Sequence, residues 1–277
     1  MTDGTGGVTR VGVDVVSGGA RARRHDLVAV EGPLQLRLVF GAAEARAELD
    51  LAVTMRTPGD DVDLALGFLH GEGLIGSAAQ VETVDAADDI VTVTLDPGVA
   101  FDPASLTRNT YATSSCGVCG KASVEAVRVR IPTRYATDSF TVGPTTLAGL
   151  PAALRDQQSA FALTGGVHAS AAFTADGAIE RVAEDVGRHN ALDKLIGAYL
   201  QAGELPLAER GLLFSGRASF ELIQKAAMAG CPFVAAIGPP SSLAVELALE
   251  QRLTLVGFLR EARFNIYTLP HRVVGDA

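Results

Sequence analysis

Apolar and polar residues alternate along LVAVEGPLQLRLVF (27–40) and ELDLAVTM (48–55), and both stretches are rich in branched side chains, which predicts strands. The period changes in TPGDDVDLALGFLHGEG (57–73). Thr57 and the acidic group Asp60, Asp61 and Asp63 stand where a helix begins. Val62, Leu64, Leu66, Phe68 and Leu69 give it an apolar face, and Gly71 and Gly73 end it. IVTVTLDPG (90–98) returns to strand alternation and is closed by Pro97-Gly98. Residues 1–24 read as a flexible tail, and residues 25–110 as a β-rich N-terminal domain with one helix.

Past a glycine-flanked loop at 111–122 the texture becomes an alternation of strands and helices. FALTGG (161–166) reads as a strand, HASAAF-TADG-AIERVA (168–183) as a hairpin, and 188–200 as a helix. GLLFSG, FVAAIG and LTLVGFL then read as strands separated by helices over 218–229 and 241–250. Such alternation predicts a layered α/β domain with a mixed sheet over 123–277, and an α/β (α+β) class for the whole chain.

The net charge of −9 over 277 residues argues against a nucleic-acid surface but leaves room for a local basic pocket. No apolar run approaches the ~20 residues of a membrane helix. The N-terminus has no apolar signal core, so a cytoplasmic protein that keeps its thiols reduced is expected.

Two of the three cysteines, Cys116 and Cys119, fall in TSSCGVCGKAS. A thiolate in that loop would draw on a positive neighbour such as Lys121 or on a helix start. Catalytic, redox and metal-binding readings all suit the spacing, and packing as small apolar residues is the minor one. His70-Gly71-Glu72 with Cys116-x-x-Cys119 echoes a zinc deaminase pattern, but Ser115 replaces the expected proline and His70 ends a helix instead of opening one. A thioredoxin-like site would place the pair after an early strand, not mid-chain. Cys231, in MAGCPFV, reads as core.

Other clusters suggest a ligand. Gly165-Gly166 before His168 forms a turn open to close backbone approach, although a plain turn fits as well and, on local sequence alone, His168 reads better as a core histidine. In EDVGRHNALDKLIG, the residues Asp185, Arg188, His189, Asn190, Asp193 and Lys194 crowd one helix start, a place suited to anions. Ser215-Gly216-Arg217 ends a strand where ligands of open α/β sheets gather, and Arg260 and Arg263 follow another.

CGVCG, LTGGVHASA, EDVGRHNALDKLIG, SGRASFELIQKAAMAG and LTLVGFLREAR together resemble the formate dehydrogenase accessory sulfurtransferases, the FdhD family, from about residue 27 onward. The resemblance implies a cytoplasmic homodimer with a C-terminal half of cytidine deaminase-like fold and no zinc. Such a protein takes sulfur from a cysteine desulfurase and passes it to the molybdenum or tungsten bis-pterin guanine dinucleotide cofactor for formate dehydrogenase. It implies Cys116 as persulfide carrier and Cys119 as its partner. The segment Phe258, Leu259, Arg260, Glu261, Ala262 and Arg263 would bind cofactor, together with Gly165, Gly166, His168, Asp185, Arg188, His189, Asn190, Ser215 and Arg217. The chain departs from the family at GPPSSLAVELA and at Arg252, where a glycine is frequent. A zinc-dependent hydrolase and a non-catalytic cofactor-binding chaperone are the alternatives.

Overall fold

A computed structural model describes residues 7–101, 131, 139–261 and 263–275. Cys116, Cys119 and the whole 111–122 loop lie outside the described residues, as does Ala262.

The N-terminal segment differs from the expected tail. β1 (Val8–Ser17) and β2 (Ala20–Ala29) form an antiparallel hairpin in register from Val8↔Ala29 to Ser17↔Ala20. Gly18 and Gly19 both take positive φ, 57° and 83°, which a two-residue turn between twisted strands requires. The charges of RARRH hide this strand from a hydrophobic reading, because most of β2 is exposed.

Four strands follow: β3 (Gly32–Phe40), β4 (Ala47–Arg56), β5 (Val81–Ala87) and β6 (Ile90–Leu95), in the order β4-β3-β6-β5, with β3 and β6 parallel. The alternate residues Leu34, Leu36, Leu38, Val91, Val93 and Leu95 point to one face. Helix α1 (Asp61–Gly71) covers that face with Leu64, Ala65, Leu66 and Leu69.

The second sheet has six strands in the order β12-β11-β10-β9-β7-β8. They are β7 (His168–Phe173), β8 (Ile179–Asp185), β9 (Gly211–Phe214), β10 (Phe233–Ala236), β11 (Thr254–Arg260) and β12 (Arg263–Thr268). The central β9, β10 and β11 are parallel and their neighbours antiparallel, which makes the sheet mixed as expected. Helix α2 (Pro144–Gln157), unassigned from sequence, covers one face over a cluster of Phe140, Phe173 and Phe233. On the other face, α4 (Arg188–Gln201), α5 (Phe220–Met228) and α6 (Ser242–Glu250) bury Leu192, Ile196, Leu222, Ile223 and Leu247 against Leu212, Phe214, Val234 and Leu255. Single-residue alternation along β9 sorts Leu212 and Phe214 to one core and Leu213 to the other.

FALTGG is not a strand. Its first four residues end helix α3 (Ser159–Thr164), and Gly165 terminates it with φ 64°. A contact distant in sequence decides this: the Glu184 carboxylate on β8 accepts hydrogen bonds from the amides of Ala160 (2.8 Å) and Phe161 (2.9 Å), capping the helix start. Arg252 sits after α6 with φ 55°, a left-handed conformation that accounts for a glycine being favoured there.

The two halves meet at α1 and α4. A Cβ on Gly67 would lie 1.8 Å from the Asp193 carbonyl oxygen, and one on Gly197 would lie 1.9 Å from that of Asp63. Each helix therefore presents a glycine to the other's backbone, and no side chain fits between. Leu200 at the end of α4 joins the core of the first sheet. Beside this crossing, Lys225 of α5 pairs with Asp193 at 2.7 Å, both almost fully buried.

Gly197→Ala is expected to lower stability by about 3 kcal/mol, the upper end for overpacking, because the obstacle is backbone. Gly149→Ala, on an exposed helical position with open space around it, is expected to raise stability by up to about 1 kcal/mol. Urea unfolding of the two variants checks the contrast, and equal midpoints would show that the helices do not approach as described.

Candidate functional site

The chain leaves β9 and β10 at the same edge of the sheet, and each turn leads directly into a helix. The turns are stacked by backbone bonds: Gly238 N donates to Gly216 O at 2.8 Å, Ala218 N to Pro239 O at 3.2 Å, and Ser241 N to Ala218 O at 3.0 Å. Phe258 N, on the bulged β11 with φ 53°, donates to Gly238 O at 3.0 Å. Gly238 must lack a side chain, since its Cβ would lie 2.8 Å from Gly216 O.

This stacking brings three helix starts together. Gly187, Ser219 and Ser241 are the residues preceding α4, α5 and α6, and a cavity of about 350 Å³ between them is lined by Arg188, Arg217, Ala218, Ser219, Pro239, Pro240 and Ser241. First-turn amides lack intrahelical partners and carry the positive end of the helix dipole, so three of them beside two guanidinium groups favour an anion. The Ser241 hydroxyl accepts from Ala244 N, whereas Ser219 makes no side-chain cap bond and its oxygen lies 3.3 Å from His189 Nε2. His189 is buried and also lies 3.3 Å from the Glu221 carboxylate.

His168 stands at the cleft's edge, its ring 3.3 Å from where a Gly216 Cβ would lie. Burial holds its pKa below the ordinary histidine value; the positive charge of Arg188 pushes the same way, Asp185 pulls against it, and Arg217 adds a smaller downward push. A neutral imidazole next to two arginines is therefore the state at neutral pH.

Arg188 and Arg217 thus line one cleft, with His189 beside Ser219 and His168 beside Gly216. Ser215 is near, but its hydroxyl accepts from Ala169 N at 2.8 Å and holds the start of β7. Gly165 and Gly166 are exposed at the end of α3. Asp185 and Asn190 have protein partners instead of facing the cleft: Asp185 is fully buried, and Asn190 donates to Met55 O at 2.8 Å. Leu259 belongs to the core under α2, while Phe258 is exposed beside Gly238. Arg260 donates to Ile237 O at 2.6 Å and so supports the β10 turn. Arg263 and Glu261 line a separate recess of about 450 Å³ with Pro144, Thr145, Ala148 and Phe264. Sequence reading missed Ser219, Pro239, Pro240 and Ser241, although the strand-end argument that selected Arg217 applies equally to the turn after FVAAIG.

His70 and Glu72 are buried, and His70 Nε2 lies 3.1 Å from Met228 O, so this histidine faces the packed interior between α1 and α5. Among the described residues no group of three or more His, Cys, Asp or Glu could hold a metal ion. No helix among them is long and apolar enough to cross a membrane.

The FdhD/NarQ family model matches residues 45–274, which include the whole cleft. The chain belongs to the FdhD/NarQ family. It is 50% identical over 269 residues to the sulfur carrier protein FdhD of Mycolicibacterium paratuberculosis, covering 94% of this chain and 96% of that one. The Streptomyces avermitilis sulfur carrier protein FdhD is 49% identical over 268 residues, 92% of each chain. That of Sulfolobus acidocaldarius is 40% identical, covering 96% of this chain and 98% of its own. Among solved structures, a candidate formate dehydrogenase accessory protein from Desulfotalea psychrophila matches 97% of this chain and all of its own with a TM-score of 0.75. At 22% identity that match shows the shared fold. The β1–β2 hairpin precedes the segment that the family model matches.

Because burial and two arginines hold His168 down, Arg217→Ala is expected to raise its titration midpoint toward the ordinary value of about 6.5. The lowered folded pKa means that the unfolded chain binds the proton more readily. The associated stability is therefore present above about pH 6.5 and is lost as pH falls below it. NMR titration of the His168 ring in both proteins measures the shift, and an unchanged midpoint would separate Arg217 from His168.

Proposed function

We propose that this protein is a sulfur carrier that accepts persulfide sulfur from a cysteine desulfurase on Cys116 and transfers it to the molybdenum or tungsten bis-pterin guanine dinucleotide cofactor destined for formate dehydrogenase. The observation that carries the reading is the anion cleft. Arg188, Arg217 and three helix starts suit the diphosphate of a guanine dinucleotide, and they belong to a chain half identical to proteins named as sulfur carriers. The net charge of −9 would repel a polyphosphate, so local cations and dipoles must supply the attraction.

The chemistry follows from thiol exchange. The Cys116 thiolate attacks the outer sulfur of the donor's persulfide, forming one S–S bond and breaking another, and the donor leaves as a thiolate. Cys116 then carries a terminal sulfur. Cys119 fits two roles: it can take that sulfur in relay, or attack the inner sulfur so that sulfide leaves and a Cys116–Cys119 disulfide remains for cellular thiols to reduce. The phosphate groups and guanine ends would be held meanwhile by Arg188, Arg217 and the turns around Ser219 and Ser241. The cytoplasm, where desulfurases work and thiols stay reduced, suits this chemistry, and a homodimer is the expected assembly.

Incubation with a desulfurase and cysteine is expected to add sulfur mass that maps to the 116–119 peptide, and Cys116→Ala is expected to abolish it. Full formate dehydrogenase activity from Cys116→Ala, in cells lacking the native protein, would overturn the assignment. Zinc stoichiometry measured on the same preparation distinguishes the hydrolase alternative, for which one zinc per chain is required.

A further inference from the structure

Thr57 follows β4, an edge strand of the four-stranded sheet, just before α1, and is 5% exposed. All three of its polar groups engage the end of β8, the turn after it or α4, more than a hundred residues away. Its amide donates to Asp185 Oδ2 at 3.0 Å, its carbonyl accepts from Lys194 Nζ at 2.8 Å, and its hydroxyl accepts from the amide of Val186 at 3.1 Å. The Asp185 carboxylate also accepts from Gly187 N at 2.8 Å and Asn190 Nδ2 at 3.1 Å, and pairs with Lys194 at 2.9 Å. Asn190 Oδ1 in turn accepts from the Thr54 hydroxyl at 3.1 Å.

The two amides immediately before Arg188 are therefore both fixed, Val186 by Thr57 and Gly187 by Asp185. Arg188 is the next residue and lines the cleft. A guanidinium grips phosphate only in a restricted geometry, so the path of the backbone that carries it matters. We propose that Thr57 is a positioning residue for the anion cleft: the first half of the chain sets the direction in which Arg188 enters a site built otherwise from the second half. The proposal rests on the reading of that cleft as a phosphate site. A residue that merely filled space at the seam would need its methyl group, which packs where Gly7 leaves room, but not its hydroxyl.

The test is GDP binding by calorimetry on the full chain, with Thr57→Val, which keeps the shape and removes the hydroxyl, Thr57→Ser, which keeps the hydroxyl, Arg188→Ala, and the double variant Thr57→Val/Arg188→Ala. Arg188→Ala is expected to weaken GDP by about tenfold or more, Thr57→Val by roughly three- to tenfold, and Thr57→Ser by less than about twofold. In the Arg188→Ala background, Thr57→Val is expected to have no further effect, because the residue it positions is gone. Equal additional weakening in that background would reduce Thr57 to a general structural role and overturn the proposal. Wild-type affinity for Thr57→Val with a weakened Arg188→Ala would also overturn it while leaving the cleft in place. An unaffected Arg188→Ala would remove the phosphate reading itself and the proposal with it. Should Thr57→Val not fold, Thr54→Val removes the neighbouring bond to Asn190. A loss of affinity that disappears without Arg188 is then expected, and unchanged affinity counts against the proposal.

Discussion

The backbone contact between α1 and α4 is the constraint on which the rest of the molecule depends. At Gly67 and Gly197 the two helices approach so closely that neither position admits a Cβ. Close approach fixes the separation of the two sheets, because α1 covers the core of the first and α4 lies on the second. It also fixes register along the helices, since two glycines must meet two carbonyl groups at once. The hydrogen bonds that Thr54 donates to Asn190, and that the Met55 and Thr57 carbonyls accept from Asn190 and Lys194 of α4, become possible only at that register.

The same approach encloses charge. Asp193, Lys194 and Lys225 are each 2% exposed, and an unpaired ion at such depth would be strongly destabilising. Each has its partner: Lys194 meets Asp185 and the Thr57 carbonyl, and Lys225 meets Asp193. Burial pushes the Asp193 carboxyl up to about 6, with Lys225 opposing the shift, while burial works against the charge on Lys225 but is outweighed by Asp193, Glu72 and Glu221. Their 2.7 Å separation is that of a direct ion pair. These ion pairs tie α4 to α5 and the end of β8 to α4, and breaking one by removing a single partner would leave an uncompensated buried charge.

This arrangement of helices shapes the cleft. The turns after β9 and β10 are tied to one another by main-chain bonds, and the turn after β8 is tied to the other half of the molecule. A site assembled from backbone amides and two arginines thus rests on rigid support on both sides, which suits recognition of a polyphosphate whose charge the surrounding acidic protein would otherwise repel.

Sequence alone made much of this legible, because strand alternation, helical periodicity and turn residues are local properties. The central strands, α1, α4, α5 and α6, and the mixed sheet all follow from such signals. Family membership did too, through blocks of contiguous residues. What the chain could not reveal locally was which polar residues of EDVGRHNALDKLIG face a ligand and which face protein. Arg188 and Asp185 are three residues apart, yet one lines the cleft and the other is wholly buried against Thr57, which only the packing of a distant segment decides. The same holds for FALTGG, whose helix depends on a cap from Glu184, and for the charged β2, whose pairing depends on β1. Local pattern determines which element forms and which faces are apolar; partners far along the chain determine whether a charged side chain is a binding group or part of the frame.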